Sequence, residues 1–97
     1  MAKLRIISDG ENSADIIKSA ISAEIKRLEV GLNRRNKEIE KFEQEYKISS
    51  NNFLTGFTAE DLRGGDDEYI RWAGEIKIRE RILDDLRSLR DIEYVAN

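Results

Sequence analysis

The sequence predicts an all-α protein, an antiparallel helical hairpin with a short helical cap that dimerises into a helix bundle. Three observations predict it. Ile21, Ile25, Leu28, Leu32, Arg35, Ile39, Phe42 and Tyr46 recur at alternating steps of four and three, the spacing that lays one stripe along an α-helix. A second periodic stretch follows Gly64-Gly65 and runs toward the end of the chain. There is no proline anywhere, so nothing forbids long uninterrupted helices. A helix as long as the first cannot bury its stripe against itself; the opposing surface comes from the rest of the chain or from a second copy.

Composition sets the limits. With 97 residues, 39% hydrophobic and 38% charged, the chain is one thin-cored domain rich in solvated surface. The absence of cysteine removes disulfides and thiolate sites, and the absence of histidine removes Ser-His and Cys-His arrangements and the usual transition-metal ligands. The expectation is therefore a non-enzyme without cofactor or metal. No apolar run approaches the roughly 20 residues of a membrane span and no signal-peptide core opens the chain, which points to a soluble cytoplasmic protein with no membrane partner. The net charge of −3 divides unevenly, +1 through Lys47 and −4 after it. Neither half carries the basic excess of a nucleic-acid surface.

Residues 1–11 form a leader and residues 12–97 a single hairpin domain. Within the leader, Lys3 to Ile7 alternates weakly before the turn-prone Ser8-Asp9-Gly10; a mobile tail is favoured over a short edge strand that pairs with another chain. The first long helix starts at Asn12 or Ser13, with Asp15 complementing the helix dipole, and continues to about Tyr46. Gly31 reads as a tolerated surface glycine, with close approach of another helix as the alternative. Asn33-Arg34-Arg35-Asn36-Lys37 is a basic cluster without interleaved aromatics and reads mainly as a solvated face, so nucleic acid is disfavoured as a partner. Arg35 differs from its neighbours because its phase aims it at the seam. There it requires a carboxylate from the C-terminal helix or from another subunit, or it reaches out to solvent where packing stops.

Ser49 or Ser50 caps a short helix carrying Phe53, Leu54 and Phe57, and Thr58 with Asp61 marks a second start leading to Leu62. These apolar residues form a plug that closes one end of the hairpin. Asp66 then caps the last helix, with Asp67 and Glu68 in its first turn. Tyr69, Trp72, Ala73, Ile76, Leu83 and Leu86 make one stripe on it, and Ile78, Ile82, Leu89 and Ile92 an adjoining one. A face this broad suits a helix that packs on its hairpin partner and also at an interface. Accordingly Ile21, Ile25, Leu28, Leu32, Arg35, Ile39 and Phe42 are the candidate seam, and Tyr69, Trp72, Ile76, Ile78, Ile82 and Leu89 the candidate partner-binding set. Glu75 with Arg79 and Glu80 with Asp84 read as exposed flanks. The carboxylates Asp61, Asp66, Asp67, Glu68 and Glu75 lack the alternating spacing of a calcium loop and read as caps and surface.

The order of these features resembles a known group. A long charged helix ending at Phe42 and Tyr46, then Ser49-Ser50-Asn51-Asn52-Phe53-Leu54, then Gly64-Gly65-Asp66-Asp67-Glu68-Tyr69-Ile70-Arg71-Trp72 and a Leu-rich helix is similar to small helical antitoxin-like proteins encoded beside toxins in prokaryotic toxin-antitoxin loci. Gly65, Asp66, Asp67, Tyr69 and Trp72 are its most recognisable part, and the similarity spans roughly Glu24 to Leu89. The leader departs from it, and no ribbon-helix-helix or helix-turn-helix operator reader is visible. The resemblance implies a protein that sequesters a toxin-like partner and carries no catalytic residues. The expected function is thus a protein-binding module. The alternatives are a structural coiled-coil oligomer, a nucleic-acid accessory protein using Asn33 to Lys37 and, last, a small carboxylate-dependent metal enzyme.

Overall fold

The computed structural model describes residues 4–9 and 11–96. Among them the order is β1 (Arg5–Ser8), α1 (Glu11–Tyr46), α2 (Ser50–Gly56), a 3₁₀ turn at Ala59–Asp61, α3 (Gly65–Arg90) and β2 (Glu93–Ala96). The molecule is a rod of 59 × 24 × 18 Å. Its length is that of α1, since 36 residues at 1.5 Å per residue span about 54 Å. Helix α3 folds back along α1, as the ion pairs Arg35 to Glu75 (3.2 Å) and Arg90 to Glu29 (3.5 Å) show. The hairpin is therefore intramolecular, and every predicted seam residue from Ile21 to Phe42 is buried or half-buried in it.

The core is concentrated where α1 ends and α3 begins. Ile39, Phe42, Phe53, Leu62, Trp72 and Ile76 form one buried cluster, with Tyr46, Ile48, Phe57, Tyr69 and Ala73 packed around it. Trp72 lies between two rings, Phe53 at 3.9 Å with an interplanar angle of 2° and Phe42 at 5.3 Å with 9°. Full burial of each such side chain is worth about 1.5–3 kcal/mol, so this end fastens a rod that would otherwise rest on Leu28 and Leu86. Leu54, placed in the plug by the sequence, is instead 43% exposed; Phe53 and Leu62 close the end without it.

Local chemistry explains the bends. Helix α1 stops at Lys47, whose φ of +53° turns the chain, while the Ile48 N–H reaches back to the Glu43 carbonyl at 3.2 Å. Ser49 caps α2, its hydroxyl accepting the Asn52 N–H at 3.2 Å. Thr58 and Asp61 form a capping box around the 3₁₀ turn. At the start of α3 the cap is not Asp66. Gly65 adopts φ +59°, a left-handed conformation that suits glycine, and the Glu68 carboxylate accepts the Gly64 N–H at 2.8 Å from inside the first turn.

Two expectations about the ends are corrected. Arg5–Ser8 is a strand rather than a tail, and α3 stops at Arg90, so Ile92 belongs to no helical stripe and Glu93–Ala96 forms a second strand. The two pair in parallel with Arg5 opposite Glu93 and Ser8 opposite Ala96. The hairpin brings both chain ends to one place, and each strand supplies the hydrogen-bonding partner the other needs. The fold is thus mainly helical with a small sheet at the end remote from the aromatic cluster.

Candidate functional site

The residues predicted to bind a partner divide into two groups. Trp72 is wholly buried and Ile76 4% exposed, both inside the hairpin core, with Tyr69 packed beside Phe53 at a ring distance of 5.0 Å. These three are corrected from interface to core. Trp72 and Ile76 have no surface left to offer and Tyr69 is half-buried against the cluster, because the α2 plug already occupies this side of α3. Ser50 explains how the indole is held: its hydroxyl accepts the Trp72 Nε1–H at 3.0 Å, and its own N–H donates to the Glu43 carboxylate at 2.8 Å. One buried serine on α2 thereby ties α1 to α3.

The second group stays accessible. Ile78 is 45% exposed, while Ile82 and Leu89 are half-buried. Ile78 and Ile82 lie with Leu28 and Gly31 along an open groove of about 560 Å³ between α1 and α3, bordered by Arg27, Lys77, Arg81 and Asp85. The groove exists because Gly31 contributes no side chain opposite Ile82; a Cβ at Gly31 would lie 3.6 Å from the Ile82 Cδ1. Gly31 thus faces α3, and the space would admit a methyl group. Ile82 turns inward to meet this gap, whereas Leu83, read on one stripe with Trp72 and Leu86, is 41% exposed.

The charged candidates are dispersed. Arg35 turns into the hairpin toward Glu75, both side chains 21% exposed, with Nη1 donating to Oε1 at 3.4 Å. Glu75 is therefore the acid that the phase of Arg35 requires and not an exposed partner of Arg79, whose guanidinium donates instead to Asn36 Oδ1 at 3.5 Å. With Arg35 engaged, the outward cations of the basic cluster are Arg34 and Lys37, beside Asn33 and Val30. The carboxylates separate as well. Asp61 serves the 3₁₀ turn, Glu75 serves Arg35, and Glu68 accepts from both the Gly64 N–H and the Tyr46 hydroxyl, the latter at 2.5 Å. Among the described residues no group of three or more acids converges on a metal position. Burial first, and then the hydrogen bond to Glu68, push the Tyr46 hydroxyl above its ordinary value of 10.0. The Arg63 N–H donates to the same hydroxyl at 3.0 Å, so Tyr46 fastens the end of α1 to the start of α3.

No family model matches the chain, and no curated protein or solved structure matches it. Among the described residues, no helix is long and apolar enough to cross a membrane.

Proposed function

We propose that this chain is a non-enzymatic protein-binding module, antitoxin-like in its manner of acting, that sequesters a partner by taking one of its helices into the groove between α1 and α3. The observation that carries the reading is Ile78, 45% exposed on the rim of a groove whose floor is made by buried Leu28 and half-buried Gly31 and Ile82. Exposed apolar surface framed by polar residues is what a helix-in-groove interface uses. The border sets the chemistry of the occupant. Arg27 is already held by Glu24, so Lys77 and Arg81 against Asp85 are the charges left to meet it, and the fitting partner is an amphipathic helix with an apolar stripe and a carboxylate facing Lys77 and Arg81.

The test is co-expression with the product of the gene adjacent to this one, the location that the antitoxin-like resemblance implies for its partner. A complex is expected to co-purify with the wild-type chain. It is expected to be lost with Ile78→Glu, a substitution at an exposed position that leaves helix content unchanged by circular dichroism. A wild-type chain that captures nothing, or an Ile78→Glu chain that captures as well as wild type, refutes the groove as the binding site.

A further inference from the structure

We infer that Gly31 is the specificity-determining position of the groove, holding open a hole for one large aliphatic side chain of the bound helix. The inference rests on the groove as the binding site and names the feature that decides which helix it takes. Gly31 stands near the middle of α1, in a backbone conformation that does not require glycine. After proline, glycine is the residue least suited to a helix interior, because it loses the most backbone freedom on ordering.

The packing of α3 does not require it either. Leaving aside the local backbone of α1, the one heavy atom of the described residues within 4 Å of a Cβ built at Gly31 is the Ile82 Cδ1, at 3.6 Å. That is an ordinary contact with the tip of a side chain. No backbone atom of α3 comes so near, so the glycine does not serve a close approach of the two hairpin helices. The hairpin alone would hold an alanine here, and hold it more firmly.

What the missing side chain leaves is a recess between two helices. Leu28 and Gly31 are one turn apart on α1, Ile78 and Ile82 one turn apart on α3, and all four line the same groove. A helix laid in such a groove anchors itself by apolar side chains that enter it. The three side chains around Gly31 are aliphatic and offer no hydrogen-bonding group, so the anchor that enters here is aliphatic as well. With glycine at 31 the anchor reaches the floor beside Leu28 and Ile82. A methyl group at this position takes the space its end would fill, and a change of one methyl or methylene in an apolar pocket alters discrimination by about 10–200-fold.

Gly31→Ala separates binding from folding, because it moves the two in opposite directions. The probe is the purified product of the adjacent gene, titrated calorimetrically into each purified chain. Gly31→Ala is expected to weaken the complex about tenfold or more while raising the thermal midpoint of the free chain by about 2–8 °C. Asn33→Ala is the control: it also improves helix propensity on α1, but it stands with Val30, Arg34 and Lys37 outside the groove, and it is expected to bind as wild type does. A Gly31→Ala chain that binds as tightly as wild type, while Ile78→Glu does not bind, overturns the role of Gly31 and leaves the groove reading intact. An Asn33→Ala chain weakened as much as Gly31→Ala overturns it too, since the loss then follows the stiffness of α1 and not the hole. A wild-type chain that binds nothing overturns the groove reading and this inference with it.

Discussion

At the scale of single residues, Ser50 and Arg35 hold the two helices together by opposite kinds of chemistry. Ser50 is a neutral buried hydroxyl that satisfies the Trp72 indole, and Ser50→Ala leaves that N–H without a partner inside a packed aromatic cluster. The expected loss is about 1–3 kcal/mol of unfolding free energy, read by urea denaturation. Arg35 is a cation in a seam position, and its charge is balanced by Glu75. Arg35→Met strands that carboxylate and is expected to cost about 1–2 kcal/mol, reduced from the fully buried case by the partial exposure of both groups. The double variant Arg35→Met, Glu75→Leu is expected to recover most of the loss, and a double variant no more stable than the single one would show that the pair is not coupled. The requirement for an acid opposite Arg35 was legible in the heptad phase, because a cation aimed into a seam cannot remain unpaired. The identity of that acid was not. Glu75 with Arg79 satisfies the local four-residue spacing, and only the height at which α3 lies along α1 decides that Glu75 turns inward.

At the scale of elements, the helices were legible and the strands were not. Apolar periodicity from Ile21 to Tyr46, over most of α1, is a repeated signal that survives local exceptions such as Gly31. β1 and β2 are four residues each, at opposite ends of the sequence, and each is stabilised chiefly by the other. Reading Lys3 to Ile7 as a tail followed from seeing only one half of that pair. The tyrosine and valine of Glu93–Ala96 were the available signal for the second half. The α3 surface was misjudged for a related reason: Tyr69, Trp72 and Ile76 formed a surplus face only while α2 was thought to cap the hairpin end without covering its flank. Gly31 offers a prediction about α1. Its backbone is helical and a Cβ there meets Ile82 at an ordinary contact distance, so Gly31→Ala is expected to stabilise the protein by about 0.5–1 kcal/mol. The measurement is the shift in the thermal or urea midpoint, and destabilisation would mean that α1 and α3 sit closer together at this point.

At the scale of the whole molecule, the rod divides its labour along its length. One end, around Trp72, Phe53 and Phe42, is where the fold is fastened. The middle, around Ile78 and Gly31, keeps apolar surface open between Arg27, Lys77, Arg81 and Asp85. The other end carries the two-stranded sheet of β1 and β2. Amide hydrogen exchange on the chain, alone and in complex with the co-expressed product of the adjacent gene, tests the central claim that the groove is the binding site. The account predicts slowed exchange confined to residues 27–31 and 77–85, with the aromatic end at residues 42–72 unchanged. Slowing centred on the aromatic end, or a complex that leaves the groove residues exchanging as they do in the free chain, would contradict it.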